Sequence, residues 1–483
     1  MTNKYLLDKL IFGVKKRLGG GFVARPAAAA CRLLRLCLAD FRCHMAGASM
    51  QRAMRRRALG LASALMLAGS GIAAATDYPS SEYLSGNWGG LRDAWREQGF
   101  AFLLGYNTEP MWSVSGGEER GGTYVDNIGA DFLLDLDRIL GVPHTTFLVR
   151  LSQRDGDSVS VEYVAPSEGG NIFPVQQIYG GQTFKVVNVQ FNTRLLDDRL
   201  DLAYGRLVAN DDFLRSDLYC QFLNNAFCGS PKAVFFQDPF AFSAYPSAQW
   251  GLRARFDTPG GHWTAQAAVY DADINLQHGD PSAKPHNKHG DSWAFGDNGV
   301  VLAGELHYHL NPGSDSALPG TYKLGGYWMN GDYKDISRTD ASTVDGNAML
   351  WVLADQMLYR QQPGSDRGLS GFATWVYSLE DKVNFLDQHV SVGLVYQGLI
   401  AGRPRDTAGL AFTKGWVSDE ANIARRAQGL ATQHAESVLE LNYKLVLGHG
   451  VTLEPDVQYI ITPAGTGDIS DAWLVGAQVT VNF

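Results

Sequence analysis

The sequence predicts an all-β chain: a single transmembrane antiparallel β-barrel of about sixteen strands, with a short N-terminal helix. Three observations predict it. From Phe100 to Phe483, segment after segment alternates apolar and polar residues with period two. The connections between those segments are short and long in turn. Aromatic residues make up 11% of the chain and glycine 54 positions, yet mean hydropathy is only −0.15. Strands wetted on one face and greased on the other give that mixture. After Ala75 no apolar run reaches the ~18 residues of a membrane-crossing helix. A chain that crosses lipid without such helices does so as a closed barrel, where every backbone polar group is paired.

The helix comes first. Leu91, Ala94 and Trp95 fall at i, i+3 and i+4, and Gly99 ends the pattern. Period two then takes over. Phe102, Leu104 and Tyr106 share a face; Ile128, Ala130, Phe132, Leu134 and Leu136 oppose Asp131 and Asp135. Phe147, Val149 and Leu151 alternate with Arg150 and Ser152, and Val187, Val189 and Phe191 with Asn188 and Gln190. Leu200 to Leu207 is a strand of unclear facing. Trp250, Leu252, Ala254 and Phe256 alternate with Arg253 and Arg255; a tight turn, Asp257-Thr258-Pro259-Gly260-Gly261, leads to Trp263, Ala265, Ala267 and Val269. A long polar stretch from Asp271 to Asn298 precedes Leu302, Gly304, Leu306 and Tyr308, set against Glu305 and His307. After a Pro/Gly/Ser turn, Asn311 to Gly320, come Tyr322, Leu324 and Trp328 with Lys323 opposite. Further strands are expected at 349–360, 369–378, 389–400, 408–414, 436–447, 451–461 and 471–483. In the last three, Leu439, Leu441 and Tyr443 oppose Glu440, Asn442 and Lys444; Leu453, Val457 and Tyr459 oppose Glu454, Asp456 and Gln458; and Trp473, Val475, Ala477, Val479, Val481 and Phe483 form one face.

The expected organisation is a non-structural upstream extension over 1–49, a secretory signal peptide over 50–75, an N-terminal segment with the short helix over 76–99, and the barrel over 100–483. The signal reading rests on Arg55-Arg56-Arg57, the apolar stretch Ala58 to Ile72 and the small residues Ala73-Ala74-Ala75. Cleavage after Ala75 leaves two cysteines, Cys220 and Cys228, which in an exported chain read as one disulfide stiffening a local loop.

Several segments in order resemble the carbohydrate-selective porin family. They are Gly86-Asn87-Trp88-Gly89-Gly90-Leu91-Arg92, Gly205-Arg206-Leu207, Tyr219-Cys220-Gln221-Phe222 through Asn224 to Gly229, Ala354-Asp355-Gln356-Met357-Leu358-Tyr359-Arg360, Gly402-Arg403-Pro404-Arg405-Asp406, and Pro455-Asp456-Val457-Gln458-Tyr459. The resemblance runs from Leu84 to Phe483. It implies a sixteen-stranded channel of the bacterial outer membrane that favours small carbohydrates such as glucose. The implied partners are those sugars and outer-membrane lipids, with the protein a monomer or a homotrimer. A general or anion-preferring diffusion porin is the nearest alternative, and an outer-membrane barrel enzyme the alternative of another class. Gly-x-Ser-x-Gly is absent and no catalytic residue is assigned.

A channel for neutral, hydroxyl-rich solutes needs dense donors and acceptors, and charged groups make the stronger hydrogen bonds. Period-two facing puts Arg150, Arg253, Arg255, Asp131, Asp135, Glu305, Lys323, Glu440 and Lys444 in the lumen as candidate sugar contacts. Their mixed signs suit a polar neutral solute. Arg253 and Arg255 rank first, because the loop carrying Cys220 and Cys228 just before them is long enough to fold inward. Trp250, Trp263 and Trp328 read as interface girdle residues. His262, His307 and His309 lack a further ligand, so no metal and no cofactor is expected at them. The net charge of −9 gives no reason to expect nucleic acid as a partner.

Overall fold

A computed structural model describes residues 83–228, 231–237 and 239–483. The upstream extension and the signal peptide lie outside the described residues. Sixteen antiparallel strands close on themselves in sequence order, β1 pairing with β16. The strands are β1 (Phe100–Ser115), β2 (Gly121–Asp135), β3 (Thr145–Gly156), β4 (Phe184–Leu195), β5 (Leu200–Leu207), β6 (Gln249–Asp257), β7 (Trp263–Asp271), β8 (Val300–Leu310), β9 (Gly320–Lys334), β10 (Thr343–Arg360), β11 (Gly368–Ser378), β12 (Leu386–Gln397), β13 (Thr407–Val417), β14 (Ala435–Gly448), β15 (Val451–Ile461) and β16 (Ala472–Asn482). Among the described residues four short α-helices accompany them: α1 (Leu91–Glu97), α2 (Leu136–Leu140), α3 (Ala209–Asp212) and α4 (Asp419–Ala427). Among the described residues no helix is long and apolar enough to cross a membrane.

The outward face follows the alternation. Leu104, Leu252, Leu302, Leu324, Leu350, Leu394, Leu410 and Leu441 all stand exposed. Such a belt is unfavourable in water and matches hydrocarbon. Aromatic rings cluster at its two rims. Trp263, Tyr308 and Tyr322 stack along one rim, and Tyr459 on Trp473 and Trp375 on Tyr377 along the other. One rim carries the tight turns 196–199, 258–262 and 449–450; the other carries the long loops 157–183, 208–248 and 272–299. Barrels of this kind keep short turns on the periplasmic side and long loops outside.

Strand bounds and one helix differ from the sequence reading: β10 begins at Thr343 rather than 349, and β13 runs to Val417 rather than 414. β12 stops at Gln397, because Gly398 takes φ +71° and its amide closes a turn on the Asp406 carbonyl. α4 was not expected: Ser418 caps it through its hydroxyl, which accepts from Glu420 N (3.1 Å), and Arg425 and Arg426 sit in its last turn.

The first described residues and Phe483 meet on the short-turn rim. α1 packs against β1, Leu84 N donates to the Asn482 carbonyl, and Arg92 Nη2 donates to the Phe483 carbonyl at 2.7 Å. The Arg92 guanidinium lies over the rings of Tyr83, Trp88 and Phe102.

Candidate functional site

The inward face splits into two arcs. On β8 to β11 the inward residues away from the short-turn end are mainly apolar: Val301, Tyr327, Met329, Met349, Trp351, Leu353, Phe372 and Val376 are all nearly or fully buried, while Glu305, Lys323 and Asp355 stand toward the short-turn end. On β1 to β7 they are mainly polar: Asn107, Glu109, Asn127, Asp131, Arg150, Ser152, Gln190, Asn192, Arg253 and Gln266. An apolar arc inside a wet barrel needs a cover, and the segment after β5 supplies it. Residues 208–248 carry Phe213, Leu214, Tyr219, Phe222, Phe227 and Phe242, each buried to within 1%. Phe242 stacks on Tyr327 (5.1 Å), and Tyr219, Phe222 and Phe227 surround Phe372. Gly325 leaves room for Trp351, whose Nε1 a Cβ at that position would approach to 2.5 Å. Trp351 Nε1 in turn donates to Glu305 (2.7 Å).

Wall side chains then fix the loop's backbone. Leu214 N donates to Glu305 (2.9 Å); Leu223 N and Asn224 N donate to Glu440 (2.5 and 3.0 Å). Lys444 Nζ donates to the Cys220 carbonyl (3.0 Å) and pairs with Glu454. Lys323 Nζ donates to the Arg215 carbonyl (2.5 Å), and Ser216 Oγ to Asp355 (2.8 Å). Cys220 and Cys228 are joined, closing a ring around Phe222 and Phe227. Loop 157–183 enters as well: Ile172 N, Phe173 N and Asn171 Nδ2 all donate to Glu436.

Where loop and polar arc meet, charges pair across the gap. Arg150 grips Asp131 through Nε and Nη2 (3.0 Å each) and reaches Asp211 on α3 through Nη1 (3.1 Å). Arg253 holds Asp201 of β5 through Nη1 (2.5 Å) and Asp212 on α3 through Nε (3.1 Å). Burial pushes the Asp211 and Asp212 carboxyls above the usual carboxylate range, and their arginine partners pull the other way. Below this ring a cavity of about 1110 Å³ opens toward the short-turn rim; Arg150, Arg253, Arg255, Lys323, Asp211 and Asp212 are among its lining residues. It exceeds the roughly 300–1,000 Å³ of a pocket that encloses a drug-sized ligand, so it is a vestibule.

The nine candidates therefore divide. Arg150, Arg253, Arg255 and Lys323 line the vestibule. Asp131 stands behind Arg150 as its partner. Asp135 faces the mouth but is spent locally: its carboxylate accepts from Asp137 N and Arg138 N, capping α2. Glu305, Glu440 and Lys444 are corrections. They point inward, but the loop covers them, and their polar atoms hold its backbone or its neighbours rather than a solute. Asp201, Asp211, Asp212 and Asp355 line the vestibule and were not foreseen. Two adjacent aspartates opening a long loop, directly after the strand that ends at Leu207, were the available signal for α3.

A family model described as "Carbohydrate-selective porin, OprB family" matches residues 119–483. Porin B of Pseudomonas aeruginosa is 27% identical over 449 residues, spanning 87% of this chain and 95% of that protein. The high-pH structure of Pseudomonas putida OprB overlays with a TM-score of 0.75 at 25% identity, covering 84% of this chain and 99% of that one. The low-pH structure of the same protein gives 0.53 at 22% identity, covering 84% and 100%, a likeness of fold.

Proposed function

The chain belongs to the carbohydrate-selective porin family, OprB, and is a carbohydrate-selective channel of the bacterial outer membrane; on that premise we propose that the paired ring of Arg150 and Arg253 against Asp211 and Asp212 does the selecting. The observation that carries the reading is that wall arginines and loop aspartates meet in direct ion pairs above the vestibule that they line. Each arginine is held between two carboxylates, which leaves one negative charge in excess per arginine. A passing anion meets that excess and still sheds hydration. A neutral sugar exchanges its water hydrogen bonds for charge-assisted ones, offered by guanidinium donors and carboxylate acceptors in one plane. Arg255, with its side chain 42% exposed, and Lys323 offer further donors in the vestibule. Because most of this capacity is satisfied within the protein, the sugar is held weakly and leaves, as conduction requires. The outward apolar belt supports contact with outer-membrane lipid.

Liposome swelling tests the reading. Glucose is expected to enter faster than gluconate, which is of similar size but charged, and faster than a disaccharide. The Asp211→Asn, Asp212→Asn double variant should erase most of the preference over gluconate while leaving the barrel assembled. Equal entry of glucose and gluconate through the wild type would replace this reading with a size-only diffusion porin. Steady hydrolysis of lipid or peptide by the purified protein would favour a barrel enzyme instead.

A further inference from the structure

The loop 272–299, between β7 and β8, draws its two ends together. Near its start, Asp271 Oδ1 accepts from Asp273 N (2.9 Å); toward its end, Gly296 N donates to Asp271 Oδ2 (2.7 Å). Asp273 is buried, and its two oxygens accept from Gln277 N and His278 N, both at 2.7 Å. The His278 ring returns over the same carboxylate. Its Nδ1 lies 3.8 Å from Asp273 Oδ2 and 2.7 Å from Asp297 Oδ1, and the three side chains offer ligand atoms all within 4.8 Å of one another.

We propose that Asp273, His278 and Asp297 form a site for a borderline divalent cation of the Zn²⁺ type, with water completing the coordination. Around zinc, ligands at about 2.0–2.2 Å in a tetrahedron stand roughly 3.4 Å apart. The separations here bracket that spacing. His278 and Asp297 are 55% and 70% exposed at the side chain, so rotation of either adjusts them, while buried Asp273 is the fixed member. Its carboxylate is oriented by two backbone amides and keeps lone pairs free, the arrangement of a preorganised ligand. Charge points the same way. Among the described residues, the salt bridges of both aspartates run to His278 and to no lysine or arginine. A buried carboxylate needs a compensating charge. A divalent cation neutralises both aspartates at once, and the imidazole nitrogen selects the zinc class over Ca²⁺ or Mg²⁺.

The cation would lock a loop that seals the barrel wall. β5 ends at Leu207 as the chain turns into the lumen, leaving the start of β4 without its neighbour. Loop 272–299 fills that notch. Val186 N donates to the His289 carbonyl (2.9 Å). Arg206, opposite outward Trp250 in the register, is buried and donates to the carbonyls of Gly290, Ser292 and Ala248. Gly290 has φ +63°, and a Cβ there would fall 2.3 Å from the Val186 carbonyl oxygen. Trp250 stacks on Phe295 (5.1 Å), so the far arm of the loop rides on the outer wall.

The test is titration of the EDTA-treated full-length protein in detergent with Zn²⁺, read by calorimetry and by competition with a chromophoric chelator. One saturable site is expected. His278→Ala and Asp297→Asn should each weaken it at least tenfold; His286→Ala, in the same loop but outside the cluster, should not. Both altered positions are exposed, and heat-modified gel mobility verifies assembly. Zn²⁺ should also slow proteolysis within 272–299 in the wild type and not in His278→Ala. Absence of a saturable site, equal affinity in His278→Ala or Asp297→Asn, loss in His286→Ala, or Ca²⁺ bound as tightly as Zn²⁺ would each overturn the assignment.

Discussion

The two arcs of the inner wall are built on one alternation and carry opposite chemistry. On β8 to β11 the inward positions hold Trp351, Phe372 and Met349; on β1 to β7 they hold Arg150, Arg253 and Asn192. The outward positions of both arcs are alike, because lipid is the same solvent all round. The inward positions differ because each arc faces something different. The first meets the aromatic face of the loop 208–248, and the second meets water and solute. Alternation assigns a residue to a face; what lies against that face decides its chemistry.

The comparison can be broken most decisively at Trp351. Trp351→Ala empties the centre of the apolar arc and is expected to cost about 3–5 kcal/mol. It should also loosen the loop, raising single-channel conductance; unchanged conductance would mean that the apolar arc does not hold the loop. On the outward side, Leu441→Arg places a charge against hydrocarbon, costing roughly 2–4 kcal/mol if it sits near mid-depth. Urea unfolding in vesicles reads both losses. Glu440→Gln weakens the acceptor for Leu223 N and Asn224 N, worth about 1.5–3 kcal/mol, and faster amide exchange across 220–226 is the expected signature. Arg255→Ala, on the polar arc and 42% exposed at the side chain, should by contrast alter discrimination between solutes with little change in unfolding midpoint.

Acidity sharpens the contrast with the smallest effect. The Asp211 and Asp212 carboxyls titrate above the usual carboxylate range because they are buried. As pH falls through that raised range they lose negative charge, while Arg150 and Arg253 keep theirs. The ring loses its excess negative charge, since Asp131 and Asp201 still pair with the two arginines. Reversal-potential measurements should therefore show rising anion preference as pH is lowered, abolished in the Asp211→Asn, Asp212→Asn double variant.

Much of the barrel was legible because lipid imposes one rule at every outward position, and Leu252, Leu324 and Leu441 obey it. Facing was unreadable where both neighbours are apolar. From Ala348 to Leu353 the chain is continuously apolar, since Leu350 and Val352 meet lipid while Met349, Trp351 and Leu353 meet the loop. The site was half legible. Arg150 and Arg253 follow from strand alternation; Asp211 and Asp212 sit on a loop, where no period reveals direction. Glu440 was placed on the right face, but its role depends on which loop amides reach it, and that is long-range information.

The meeting of Arg92 with the final carbonyl has a practical consequence for anyone labelling this protein. A peptide appended beyond Phe483 must leave past a guanidinium already enclosed by three rings and anchored to that very carbonyl. Epitopes and fluorophores are better grafted at the exposed tip around Arg338 and Asp340, on the opposite rim, where an insertion disturbs a local ion pair and its hydrogen bonds to Ser342.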